Sequence, residues 1–255
     1  MINFFRKKRK ALVDENRSLK YARYAIGEIV LVVIGILIAL SINNWNDQRK
    51  DIAKEQQILL SLQEEFKQNI KELNFDHQIN LSCIKAITTL LNVDKNVDFE
   101  TRTIDSLLGQ AFNFATFDPR LGVINDISSS GNLELIRDSK LRYKLNQWTG
   151  ELDDYKEDVI IRRDYWINNA SLINILLPKR NQDASMDRED YLRDILIKPI
   201  QVPKSNYVTF LSNLEIDGFL FDYYMNQSFV TINEEAIMAF LKSTLLLIES
   251  NINQN

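Results

Sequence analysis

The apolar and polar positions divide the chain into one continuous apolar block followed by a series of helical stripes. Ile29–Leu40 holds twelve residues without a polar side chain, and the block around it runs from Ala25 to Ile42. As a helix that block would span about 27 Å, close to the ~30 Å hydrocarbon thickness of a bilayer. Beyond Trp45 the pattern changes. Ile52, Leu59, Phe66 and Leu73 recur every seven residues, with Leu62 and Ile70 on the same face. No Gly or Pro stands between Gly35 and Gly109. The apolar block is therefore expected to run on into a long first helix ending near Asn92. Such a heptad suits a bundle core or a dimeric coiled coil.

Shorter elements follow. The polar stretch Asp94–Arg102 reads as a loop. Thr103 or Asp105 is expected to cap a short helix that Asp118-Pro119 breaks, and Leu121–Ser129 forms another, closed around Gly131. Ser130–Ile136 reads as a turn into a short apolar run. Asp138 or Ser139 then caps a second long helix whose face is Leu141, Leu145, Trp148, Leu152, Tyr155, Val159 and Trp166, with Ile173 and Leu177 beyond. Gly150 is expected to interrupt it and Pro178 to end it. Three of the four prolines fall in 178–205, the most irregular part, with a short helix expected around Tyr191–Ile197. Phe210–Tyr224 reads as a helix or a pair of short ones and Asn226–Thr231 as a break. Thr231 or Asn233 then caps a last helix with the stripe Ile237, Phe240, Leu241, Leu245, Ile248 and Ile252. Glu65 and Asp154 read as exposed positions on the two long helices.

The expected fold class is all-α: an N-terminal transmembrane helix followed by an antiparallel helical bundle with long amphipathic helices. Seven Gly and four Pro in 255 residues leave little room for a turn-rich β fold.

Charge sets a direction for the apolar block. Residues 1–24 hold eight basic side chains against Asp14 and Glu15, a net +6. The remainder of this −4 chain therefore carries −10. Tyr21, Tyr24 and Trp45 flank the block as interfacial aromatics would. By the positive-inside rule the expected organisation is a basic cytoplasmic tail over 1–24, a transmembrane helix over 25–44 and an extracytoplasmic helical domain over 45–255. The implied place is a membrane, with lipid contacted through the span. The alternatives are a cleaved signal peptide, because Ala39-Leu40-Ser41 resembles a cleavage site, and a buried core helix of a soluble protein, which the basic tail and aromatic flanks disfavour. The long basic head and the helical continuation argue against the signal peptide.

Within the span Glu28 is the candidate functional residue, since an ionisable group there is costly. It lies about one turn inside the boundary, where it can also snorkel or pair with Arg23 or Lys20. Gly35 and Ala39 form a small-residue step through which two spans could pack.

The candidate chemistry of the remainder is sparse. The single Cys, Cys83, excludes an internal disulfide, and the single His, His77, lacks the Glu three residues before it that a di-iron bundle uses. Glu72 with Asp76, Asp153 with Glu157 and Asp154 with Asp158 read as solvated acidic faces rather than metal ligands. Ser128–Gly131 lacks the context of a nucleophile elbow, and no Gly-rich phosphate loop is present. No catalytic, cofactor-binding or metal residue is assigned, and no cofactor is expected. The acidic balance gives no support for nucleic-acid binding.

The N-terminal wording carries a resemblance. Phe4–Lys7, Lys20–Ile29 with its Gly27-Glu28 pair, Val33–Leu40 and Asn43-Asn44-Trp45-Asn46 resemble a bacterial family of single-pass membrane proteins with a domain of unknown function, number 6090. Ser130–Ile136 is similar to that family's middle segment. The resemblance implies a short basic head, one span and a helical domain, and supplies no activity. The function expected is thus a non-enzymatic interaction module that binds a protein partner or a second copy in the cell envelope. The alternatives are an extracytoplasmic small-ligand sensor and a subunit of an ion-coupled complex using Glu28.

Overall fold

A computed structural model describes residues 18–95, 97–174, 176–184 and 198–252. No strand occurs among them. The elements are α1 (Ser18–Leu91), α2 (Thr101–Ala111), α3 (Gly122–Ser129), a 3-10 turn (Asn132–Leu135), α4 (Ser139–Asn169), α5 (Ser171–Asn174), α6 (Lys179–Ala184), α7 (Lys204–Ser212) and α8 (Leu214–Ile252). The chain divides into two compact units, Met1–Gln57 and Ile58–Asn255.

In the first unit, α1 is long and apolar enough to cross a membrane, and none of its apolar window is buried by the rest of the chain. Ile29, Leu31, Ile34, Leu37 and Ile42 are each at least half exposed. A helix apolar all round is normally covered, either by a protein core or by a bilayer.

The second unit is built around three long helices. Side-chain pairs between α4 and α8 run Asp138 with Asn251, Lys144 with Ser243, Asp158 with Asn233 and Tyr165 with Asp222. One number rises as the other falls, so the two helices are antiparallel. Gln63 with Glu249 and His77 with Glu234 give the same relation between α1 and α8. Two apolar clusters fill the interior. One joins Leu59, Phe66 and Leu73 to Leu141, Trp148, Tyr155, Val230, Ile237 and Ile248. The other joins Cys83, Ile87 and Leu90 to Leu108, Ile173, Phe210, Phe219 and Tyr223.

Several boundaries differ from those the sequence predicts. Gly150 does not interrupt α4. It is exposed, nothing lies within 4 Å of where its Cβ would be, and the helix runs through it. Helix α4 stops at Asn169, well before Pro178. Asn226–Thr231 is no break: α8 is continuous, and the Thr231 hydroxyl donates back to the Gln227 carbonyl. Side chains such as Asn226 and Thr231 look like punctuation in a sequence, but tertiary packing overrides that weak preference. Thr103 and Asp105 lie inside α2, which Glu100 precedes. Asp138 caps α4 as expected, accepting from the Lys140 and Leu141 amides at 2.7 and 3.2 Å. Gly131 takes a left-handed φ of 72°, which favours Gly at the entry to the 3-10 turn. The helix expected around 191–197 lies outside the described residues.

Glu65 is a further correction. It is buried, with one oxygen 2.7 Å from the Val123 amide and the other 3.3 Å from the Ile124 amide. The carboxylate therefore caps α3 from a neighbouring helix, satisfying donors that no residue of its own turn reaches. Asp154 is exposed, as its sequence position predicts.

Candidate functional site

The stripes of the three long helices are apolar except at a few positions, and those exceptions meet. On α1 the positions that continue the Leu59–Leu73 register include Asn69 and Asn80, both fully buried. On α4 the register Leu141, Trp148, Tyr155 reaches Arg162, with no exposed surface. On α8 it passes through Gln227 and Glu234, also fully buried. Asn80, Arg162, Gln227 and Glu234 form a polar layer, while Asn69 stands apart from it between Phe66 and Leu73.

The layer is closely hydrogen-bonded. Glu234 accepts from Asn80 Nδ2 at 2.6 Å and lies 2.9 Å from His77 Nδ1. The exposed Glu235 carboxylate stands 3.9 Å from His77 Nε2. Asn80 pairs with the backbone of Ala115, accepting from its N–H at 3.0 Å and donating to its C=O at 3.2 Å. Arg162 donates to Gln227 Oε1, the Ala115 carbonyl and Thr116 Oγ1 at 3.0–3.2 Å, and its guanidinium lies over the Phe114 ring. Burial holds the Glu234 carboxyl above its usual range, opposed by the His77 and Asn80 hydrogen bonds.

The layer has an architectural task. The segment between α2 and α3 has no regular secondary structure, so its backbone must find side-chain partners. Asn80 serves Ala115, Tyr155 Oη accepts from the Phe117 amide at 2.9 Å, and Asn69 pairs both backbone groups of Arg120 at 2.8 and 2.9 Å. His77 meets two carboxylates but no hydroxyl or thiol among the described hydrogen bonds. Cys83 is fully buried, donates to the Ala111 carbonyl, and burial pushes its thiol up to about 12. A thiol so held is a poor nucleophile at neutral pH.

A second feature is a cleft of about 870 Å³ lined by Arg102, Asp105, Asn181, Gln201 and Tyr207 among others. Asp105 is buried, and Tyr207 donates to its Oδ2 at 2.9 Å. Desolvation raises its carboxyl from the usual value, against the hydrogen bonds it accepts.

The residues singled out in the span lie in the first unit. Glu28 is partly covered, and Gly35 and Ala39 are exposed one turn apart. Nothing lies within 4 Å of where a Gly35 Cβ would be. Among the acidic pairs, Glu72 bonds Arg120 and Asp158 accepts from Asn233. No group of three or more His, Cys, Asp or Glu positioned for a metal ion is found among the described residues. Reading the apolar stripes alone missed Arg162, Glu234, Gln227, Asn80 and Asn69. The available signal was a polar residue at a stripe position, as when Arg162 follows Tyr155 by seven.

Residues 28–164 match the model of a family of unknown function, DUF6090. The chain belongs to that family. The DUF6090 match opens at Glu28 and closes within α4, so it takes in Asn69, Asn80 and Arg162 but not α8. No curated protein and no solved structure matches the chain.

Proposed function

We propose that this DUF6090 member is a membrane-anchored, non-enzymatic interaction module that docks a protein partner in the bacterial cell envelope. The basic head, the uncovered apolar length of α1 and the acidic remainder support an inner-membrane anchor with the N-terminus in the cytoplasm. The observation that carries the docking role is on α8. Leu214, Phe221, Met225, Phe229 and Ile232 are 86, 52, 37, 50 and 60% exposed. At about 100° per residue all five fall on one face, opposite the buried Ile216, Tyr223 and Val230. Aligned exposed apolar side chains mark interaction surfaces more often than scattered ones do.

Photo-crosslinking in intact cells tests the reading, with the crosslinker at Met225 and, as a control off this face, at Asp154. A defined partner captured from Met225 and not from Asp154 is expected. Equal capture from both positions, or none from either, would contradict it.

The cleft beside Asp105 favours a second reading, a small-ligand sensor. A buried carboxylate on a cleft wall suits a ligand bearing an amine or hydroxyl donor. Full-length protein should then melt higher with such a ligand, and Asp105→Asn should remove the shift. An unchanged melting temperature across a panel of primary amines and polyols would set that reading aside.

A further inference from the structure

The apolar line on α8 is longer than its five large residues. Gly218, Ala236 and Ala239 are exposed and fall on the same face, so the line runs without a charged residue from Leu214 to Ala239. That is about 38 Å of helix. The large side chains alone leave roughly 450 Å² open, the size at which the largest patch of a protein is commonly functional. A helix laid along the line would also cover its rim. The buried area would then approach the ~800 Å² per partner of a standard interface.

The charged residues that α8 itself sets along the line have one sign. Asp217 and Glu235 flank the line on one side, and Glu215 and Asp222 on the other; all four are exposed. The sequence holds no Lys or Arg between Lys204 and Lys242. A second copy of this face would set acid against acid: an antiparallel pair centred on the line brings Asp217 towards Glu235, and a parallel pair brings each acid towards itself. An anionic lipid surface would be repelled in the same way. A helix with an apolar stripe and Lys or Arg on both flanks matches apolar to apolar and base to acid.

We infer that the outer face of α8 from Leu214 to Ala239 docks an amphipathic helix of another protein whose flanks are basic. The inference rests on the docking role proposed above and names the chemistry of the partner. The surface lies on α8, outside the residues matched to DUF6090.

The full-length chain in zwitterionic lipid nanodiscs provides the test. The probes are two fluorescent synthetic helices of about 18 residues, one of Leu and Lys and one of Leu and Glu in the same pattern. Binding is read by anisotropy after subtraction of empty nanodiscs. The Leu/Lys helix is expected to bind at least about tenfold tighter than the Leu/Glu helix. Phe221→Ser with Phe229→Ser should abolish that binding. Asp217→Lys with Glu235→Lys should reverse the preference between the two helices, an outcome that a merely misfolded variant would not give. Equal binding of both helices would overturn the charge chemistry and leave the docking face standing. No binding of either, or binding unchanged by Phe221→Ser with Phe229→Ser, would overturn the docking face as well. Self-association of the wild-type chain that those two Ser substitutions remove would overturn the inference in favour of a second copy.

Discussion

The apolar length of α1 and the interior of the second unit break the same rule in opposite directions. The first exposes Ile29, Leu31, Ile34 and Leu37 on every side of a helix. The second buries Arg162, Glu234, Asn80 and Gln227 without residual exposure. Their resolutions differ. The buried polar residues find hydrogen-bond partners within the chain, among them Ala115, Thr116 and one another. The exposed apolar residues find no cover among the described residues. The outer face of α8 is an intermediate case, covered on one side and open on the other.

Substitutions that remove what each region depends on should break this contrast. The largest effect is expected at Arg162. Arg162→Ala would open a cavity and leave Gln227 Oε1 and Thr116 Oγ1 without the Arg162 donor, while the Ala115 carbonyl keeps only Asn80. A loss of about 3–5 kcal/mol in chemical denaturation is expected. A loss below about 1 kcal/mol would show that the polar layer does not hold the bundle. Next in size is Ile34→Arg, which places a charge near the middle of the apolar segment at a cost of about 3 kcal/mol for insertion. The fraction of chain in sedimented membranes should fall, while the melting of the second unit should not change.

Protonation of Glu234 sharpens the comparison. Its folded carboxyl lies above its unfolded value of 4.5, so folding favours the protonated form. That contribution is fully present below the unfolded value and is lost as pH rises through the folded one. Replacing Glu234 with Gln removes the titration. The denaturant midpoint of E234Q minus that of wild type should therefore grow as pH rises above about 4.5. A difference that is flat from pH 4 to 8 would count against a raised Glu234. Glu65→Ala, which uncaps α3, should cost about 1–2 kcal/mol. Asp138→Ala, which uncaps α4, should cost about 1 kcal/mol, read as the shift in the same midpoint.

How much of this was legible in the sequence follows from the same physics. The apolar block, the Leu59–Leu73 and Leu141–Tyr155 stripes, the Asp138 cap and the Gly131 turn each rest on local pattern, and the structure contains all of them. Glu65 looked solvated because a carboxylate one step off a stripe usually is; only the distant amides of Val123 and Ile124 explain its burial. The break expected at Asn226–Thr231 failed for a related reason. Asn226 and Thr231 are weak helix formers, but Gln227 between them is buried and accepts from Arg162, a residue 65 positions away, so packing carries α8 through. The polar layer was visible only as exceptions to a period, and their partners lie on other helices.

The proposed function requires α1 to cross a membrane with the second unit outside. Cys83 is the only cysteine, and it is fully buried with its thiol pushed up to about 12, so it gives little background in thiol labelling. Asp154→Cys places one exposed thiol on α4 of the second unit. Intact cells with a permeable outer layer can then be treated with a membrane-impermeant maleimide, before and after lysis. The account predicts full labelling before lysis, on a chain that stays in the membrane fraction and keeps its N-terminus. Labelling only after lysis, or a labelled chain that is soluble and lacks the first 41 residues, would contradict it.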